Sequence, residues 1–130
     1  MESIVTDTID PVRRTAVAPD QSHSGAVTLI NSFAVPEARE AAFMELWTAT
    51  SGYFRIRPGF ISLKLHRALA SSAPYRFVNV AQWASAEQFA AAHATEDFRS
   101  LVSQPQWREF PSSPALYEVA AEFRTAPDRC

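Results

Sequence analysis

YRFVNVAQWASAEQF, residues Tyr75–Phe89, settles the fold because its two halves obey different periods. The first half alternates as a strand does, so Tyr75, Phe77, Asn79, Ala81 and Trp83 are expected on one face. The second half opens a helix. Ser85-Ala86-Glu87-Gln88 is a capping box, in which a hydroxyl and a glutamine side chain satisfy free N–H groups of the first turn. The strand face is apolar and aromatic except for one amide. A buried amide destabilises unless it is partnered, so Asn79 either bonds a neighbouring loop or serves as an oriented donor to a ligand oxygen.

Working outward, Val27–Val35 alternates in the same way and places Val27, Leu29, Asn31, Phe33 and Val35 on one face, again with an amide inside an apolar row. Pro36 suits the first position of a helix, and Glu37 and Glu40 complement its dipole. Phe43, Leu46, Trp47, Thr50 and Phe54 recur at helical spacing as its buried stripe. Gly52 weakens its end, and Arg57-Pro58-Gly59 turns the chain. Phe60–Leu69 is the second strand, with Ile61, Leu63 and Leu65 facing one way and Phe60, Ser62, Lys64 and His66 the other. The connection Ala70–Pro74 makes it a hairpin with Tyr75–Trp83. The second helix is expected to end near Ala94, and Thr95 caps a third that buries Phe98, Leu101 and Val102. A proline-bounded loop, Pro105–Pro114, carries Trp107 and Phe110. Ala115–Phe123 closes the pattern as a strand with Tyr117, Val119, Ala121 and Phe123 on one face.

The order β-α-β-β-α-β predicts an α+β, ferredoxin-like fold, an antiparallel sheet with helices on one face. Residues 26–124 make one domain, 1–25 are expected as a flexible N-terminal arm without periodicity, and 125–130 as a tail. Ile30, Ala34, Val78 and Val80 make the opposite sheet face apolar as well. A large apolar face implies an interface, so a homodimer through the sheet is expected.

The totals exclude several classes. A net charge of −2 without a Lys/Arg cluster argues against nucleic acid as a partner. The single cysteine, Cys130, allows no internal disulfide and no cysteine-rich metal site, which makes the cytoplasm the default location. No apolar run approaches a membrane span, and no signal peptide stands at the start. Phosphate-binding, dinucleotide-binding and zinc-protease motifs are missing. With three glycines in the chain, a nucleotide cofactor is not expected. His23, His66 and His93 lie on three separate elements, so their spacing supports no metal site.

The remaining candidates are polar residues on aromatic-rich faces. Asn79 and Trp83 are strand-spaced on one face. His66 stands at a strand end beside Ser62 and Lys64, as a surface residue or a base. His93 lies one turn after Phe89, as a core residue or a pocket base. Asn31 repeats the Asn79 pattern. Phe33, Phe54, Phe77, Phe89 and Trp47 supply aromatic walls for a substrate.

VTLINSF, RIRPGF, LKLHR, YRFVNVAQW with SAEQF, and LYEV together resemble the antibiotic biosynthesis monooxygenase domain over about Ala26–Phe123. The resemblance implies a dimeric α/β barrel with a pocket between sheet and helices in each subunit. It implies oxidation of an anthrone-like or phenolic aromatic polyketide to a quinone, with O₂ as co-substrate and neither metal nor flavin. Asn79, Trp83 and His66 match positions of the polyketide enzymes. Phe89 falls where those enzymes carry a tyrosine thought to relay protons, and Ser103 or Gln104 where they carry a helical arginine. This leaves the base to His66, to His93 or to a substrate that ionises unaided. The haem-degrading branch uses an Asn, matched by Asn31, and a Trp and a haem-ligating His whose positions fall at about Ala92 and Val102. Other readings of the same barrel are an isomerase or cyclase that does not use O₂, or a small aromatic-ligand-binding protein without catalysis.

Overall fold

The computed structural model describes residues 16–21 and 23–126. Most of the expected arm and the end of the expected tail lie outside the described residues. Four strands form one sheet: β1 (Val27–Phe33), β2 (Phe60–Arg67), β3 (Phe77–Trp83) and β4 (Ser112–Tyr117). Their spatial order is β2-β3-β1-β4, and every neighbouring pair is antiparallel. Three helices, α1 (Glu40–Ser51), α2 (Ala86–Ala92) and α3 (Glu96–Val102), complete the ferredoxin-like order.

Local chemistry explains the boundaries. Pro36 opens a 3-10 turn, Glu37–Arg39, which runs into α1. At Gly52 the helix tightens into a second 3-10 segment, Gly52–Ile56, because glycine holds the helical conformation weakly. Ser85 Oγ accepts the Gln88 N–H at 3.1 Å, and Thr95 Oγ1 accepts the Phe98 N–H at 3.0 Å. One half of the expected capping box differs. The Gln88 side chain accepts from the Ser85 hydroxyl at 3.2 Å rather than reaching back to the backbone, and it lies against Gly59.

Alternation in β1 and β3 is as expected. Val27, Leu29, Asn31 and Phe33 are buried opposite Trp83, Ala81, Asn79 and Phe77. In β2 the expected faces require correction. A bulge between Phe60 and Ser62 pairs Phe60 with Trp83 and Leu63 with Ala81. The extra residue shifts the phase of the strand, so Phe60 joins Leu63 and Leu65 on the inner face while Ile61 is exposed. The last strand also requires correction. It starts at Ser112 and ends at Tyr117. Val119 and Phe123, expected on it, are 71% and 95% exposed.

The core splits into two aromatic clusters. One gathers Trp83 and Phe89 with Val27, Leu29 and Ala81. The other gathers Phe33, Phe43, Phe77, Trp107 and Phe110, with Phe43 stacked on Phe77 at 4.8 Å. The expected arm is packed at one described point, since Ala16 is 7% exposed and belongs to the first cluster.

Arg57-Pro58-Gly59-Phe60 is a type II turn closed by Phe60 N–H to Arg57 O at 3.2 Å. Gly59 has φ +87°, and a Cβ there would clash with the Gln88 side chain. Its carbonyl accepts the Ala84 N–H at 2.7 Å, tying the turn to the start of α2. Gly59→Ala combines left-handed strain with a clash and should destabilise the fold by about 1–3 kcal/mol. Thermal unfolding should show a midpoint lowered by at least about 4 °C, and an unchanged midpoint would contradict the role given to this turn.

Candidate functional site

The inner sheet face carries two buried amides side by side, because Asn31 and Asn79 are register partners. Their hydrogen bonding separates them. Asn31 Oδ1 accepts the Ser113 N–H at 3.1 Å. Pro114, which stands opposite Asn31 in β4, has no N–H to offer, and the side chain supplies a bond the ladder lacks. The oxygen of Asn31 is therefore engaged in holding an edge strand. Asn79 Oδ1 is buried without a partner among the described residues. Thr50 Oγ1 on α1 shares that condition. Leaving such an atom unsatisfied costs about 1–3 kcal/mol.

Asn79 borders a cavity of about 20 Å³ between sheet and helices. Leu29, Leu63 and Ala81 form its floor on the sheet, Phe60 and Trp83 add aromatic walls, and Ser51, Phe54 and His93 come from the helical layer. The volume matches about one water molecule.

His93 caps the end of α2. Its Nδ1–H donates to Phe89 O at 2.7 Å, an oxygen that also accepts the His93 backbone N–H at 3.2 Å. The side-chain bond sets the tautomer and leaves the lone pair on Nε2. Aromatic rings enclose the imidazole, with Phe89 at 4.0 Å, Phe98 at 4.7 Å, Phe54 at 4.8 Å and Trp83 at 5.9 Å between centroids. Burial among these rings disfavours the imidazolium and lowers the His93 pKa to about 4, against the smaller upward pull of the Phe89 carbonyl. The imidazole is neutral at pH 7.

Of the residues expected at the site, Asn79, Trp83, His93 and Phe54 meet at the cavity. Phe89 stands directly behind them, its ring 5.7 Å from that of Trp83 and edge-on. Phe33 and Phe77 lie in the second cluster, and Trp47 packs against it. They are apart from the cavity because one turn of helix and two residues of strand separate the clusters. His66 is exposed on the opposite face of the sheet, its Nδ1 3.3 Å from Val78 O. That placement separates it from His93 and the cavity. The buried atom of Asn79 without a partner is the acceptor Oδ1.

Phe60, Ser51 and Tyr53 were not anticipated. Phe60 requires knowledge of the bulge. Ser51 follows the helical stripe by one residue and turns inward only as the helix tightens. Tyr53 Oη donates to Ala92 O at 2.6 Å and lies 2.5 Å from Thr95 Oγ1. Arg57 stacks on its ring at 4.0 Å. This tyrosine fastens the junction that presents His93, and no motif in the sequence marks it.

The family model for the antibiotic biosynthesis monooxygenase domain matches residues 26–104, more than half of the chain. The chain belongs to the antibiotic biosynthesis monooxygenase family. Solved structures agree with that membership. A protein assigned as a monooxygenase from Shewanella loihica PV-4 is 33% identical, with a TM-score of 0.67 over 78% of this chain and all of its own. SnoaB, a cofactor-independent oxygenase from Streptomyces nogalater, is 25% identical, with a TM-score of 0.61 over 81% of this chain and all of its own. An MhuD mutant carrying two manganese protoporphyrins per active site shares the fold at 20% identity and a TM-score of 0.61, over 75% of this chain and 98% of its own. No curated protein is significantly similar to the chain. Among the described residues, no helix is long and apolar enough to cross a membrane, and no cluster of three metal-ligating side chains occurs.

The depressed pKa of His93 has a consequence for this family member. Unfolded, the group titrates near 6.5, and in the fold at about 4. Between those values the unfolded chain binds more protons than the folded one, so stability rises with pH across the window. The contribution is complete above the unfolded value and is lost as pH falls through the folded one. His93→Phe should remove this pH dependence, a difference of up to about 3 kcal/mol. Urea unfolding of both proteins at pH 4.5 and 7 measures it, and equal pH slopes would contradict the neutral imidazole enclosed by these rings.

Proposed function

We propose that this chain is a cofactor-independent monooxygenase that oxidises a hydroxylated, anthrone-like or phenolic polyketide substrate to a quinone with O₂. One observation carries the reading: Asn79 Oδ1, a buried acceptor without a partner, borders the same cavity as the neutral, half-buried imidazole of His93. An unpaired acceptor is satisfied by a ligand that brings a donor, and a phenolic hydroxyl is such a donor. Aromatic walls suit the rest of a polycyclic ligand. Family membership and the likeness to SnoaB support the same chemistry.

The residues divide the work as follows. Asn79 Oδ1 accepts the substrate hydroxyl and orients the ring. His93 Nε2 takes a proton from the acidic C–H of the anthrone. Its low pKa keeps the lone pair free at neutral pH, and the anion forming beside it raises its affinity for the proton. The Trp83 indole N–H donates to the enolate oxygen as charge develops. The enolate passes an electron to O₂, and the resulting radicals join in a carbon–oxygen bond. The peroxide takes the proton back from His93 and eliminates water. A CH₂ group and O₂ thus become a carbonyl and water, and no electrons are needed from elsewhere.

Haem fits these residues poorly. The ligand position of the haem-degrading branch falls at Val102, an apolar side chain packed on the second cluster.

The outer sheet face supports a homodimer as part of the same proposal. Ile30, Val78, Val80 and Ala115 are half-buried there in the isolated subunit, and Tyr117 is 50% exposed. Sedimentation equilibrium at micromolar concentration should give twice 14.4 kDa, whereas a monomer would remove this interface.

For the reaction, chelator-treated protein should consume O₂ with an anthrone substrate. His93→Ala should lower turnover roughly 10²–10⁴-fold, Trp83→Phe roughly 10²-fold, and Asn79→Ala about tenfold, while His66→Ala leaves it unchanged. Wild-type rates in all three cavity variants would remove the site. Conversion without O₂ uptake would instead indicate an isomerase or cyclase, and tight binding without conversion a ligand-binding protein.

A further inference from the structure

His93 stands on a two-residue bridge, His93-Ala94, between Ala92, the last residue of α2, and Thr95, the cap of α3. Both helices are seven residues long. Helices of that length are marginal unless something else holds them. His93 itself has φ −91° and ψ 0°, outside helical values. The placement of its imidazole therefore depends on what fixes the bridge.

Tyr53 fixes it from another element, the 3-10 segment Gly52–Ile56. Its hydroxyl lies 2.6 Å from Ala92 O and 2.5 Å from Thr95 Oγ1, one contact at each end of the bridge. The proton inventory gives these contacts a direction. A carbonyl only accepts, so the single Tyr53 hydroxyl proton goes to Ala92 O. Thr95 Oγ1 must then donate to Tyr53 Oη, while it accepts the Phe98 N–H at 3.0 Å. Three bonds thus run in sequence from the first turn of α3 through Thr95 and Tyr53 to the end of α2. Arg57 steadies the tyrosine, its guanidinium 4.0 Å over the ring and its Nε 3.1 Å from Tyr53 O. Arg99 also bonds the bridge, at Ala94 O, but it belongs to α3 and ties the bridge to no other element.

The same segment supplies a wall of the cavity. Phe54, next to Tyr53, lines it and lies 4.8 Å from the imidazole. Adjacent residues of one 3-10 segment therefore hold the backbone around His93 and confine its ring. The other rings around it, those of Trp83, Phe89 and Phe98, carry no charge.

We propose that Tyr53 is a positioning residue for the base: its hydroxyl, joined to Thr95, holds the α2–α3 bridge so that the His93 imidazole stays at the cavity beside Asn79. The proposal rests on His93 acting as the base of the proposed oxidation. Without the hydroxyl the bridge relaxes, water reaches the imidazole, and the proton acceptor drifts from the substrate carbon.

The test is Tyr53→Phe in the full chain, read in two ways. With an anthrone substrate, kcat should fall at least about tenfold with KM changed less than about threefold, since a misplaced base costs turnover rather than binding. Without substrate, the His93 imidazole is titrated by carbon-13 NMR, its resonance being the one lost in His93→Phe. The natural chain should titrate at about 4, because burial holds it below the ordinary 6.5. In Tyr53→Phe the midpoint should rise by at least about one unit, because water reaching the ring favours the imidazolium. A hydroxyl that only added stability would move neither kcat at fixed KM nor the midpoint. Should Tyr53→Phe not fold, the Thr95 pair decides: Thr95→Ala should show the same fall and rise, and Thr95→Ser, which keeps the hydroxyl, should restore both. An unmoved midpoint, or an unmoved kcat in an active enzyme, overturns the positioning role. No O₂ uptake by the natural chain instead sinks the monooxygenase reading, and the titration alone then decides whether Tyr53 positions His93.

Discussion

The β1–β3 register is the constraint on which the rest depends. It sets Asn31 opposite Asn79 in the middle of an otherwise apolar face. Period-2 alternation then leaves no freedom: both amides point under the helices, and a slip by one residue would turn Phe33, Phe77 and Trp83 outward with them. The two amides meet different fates because their neighbouring strands differ. Asn31 adjoins an edge strand interrupted by Pro114 and completes its hydrogen bonding. Asn79 adjoins Leu65 of β2, and its oxygen finds no donor there. One amide is tied into the ladder and the other keeps an unpaired oxygen beside the cavity, although their sequence settings look alike.

The same register divides the aromatic residues. Phe33 and Phe77 form a facing pair at one end of the inner face, and Val27 and Trp83 at the other. Phe43 reaches down from α1 onto the first pair, 4.9 Å from Phe33 and 4.8 Å from Phe77. Trp107 and Phe110, from the proline-bounded loop, complete that end. Phe54, Phe60 and Phe89 cluster on Trp83 at the other. The first end is filled and serves as core. The second keeps a small void beside Asn79.

Much of this was legible in the sequence where a rule is local. The Tyr75–Phe89 stretch yields its strand and its capped helix because alternation and an N-cap each depend on a few adjacent residues. The inner faces of β1 and β3 follow for the same reason. The β2 bulge was not legible, because the run Phe60-Ile61-Ser62-Leu63 satisfies alternation in either phase and only pairing with β3 chooses between them. The last strand was extended too far because Tyr117, Val119, Ala121 and Phe123 keep the period beyond Tyr117, where no strand among the described residues pairs with it. In the sequence His66 reads first as a surface residue, and His93 equally as a core residue or a pocket base. They separate on burial: an edge-strand position on the outer face leaves His66 exposed, and the end of α2 drives His93 inward.

Phe89 appears at first to remove a proton carrier, since it stands where a tyrosine would be expected. The geometry assigns it a different part. Its carbonyl, not its ring, accepts the His93 Nδ1–H, so the tautomer of the imidazole is set by backbone at the end of α2 and is indifferent to the side chain there. Its ring, 4.0 Å from the imidazole, helps to exclude water and to keep the histidine neutral. A tyrosine at this place would bring a hydroxyl into that apolar cage and weaken the desolvation that lowers the pKa. Phenylalanine at this position and histidine one turn later are thus physically coupled: the apolar ring of the first helps to keep the second unprotonated.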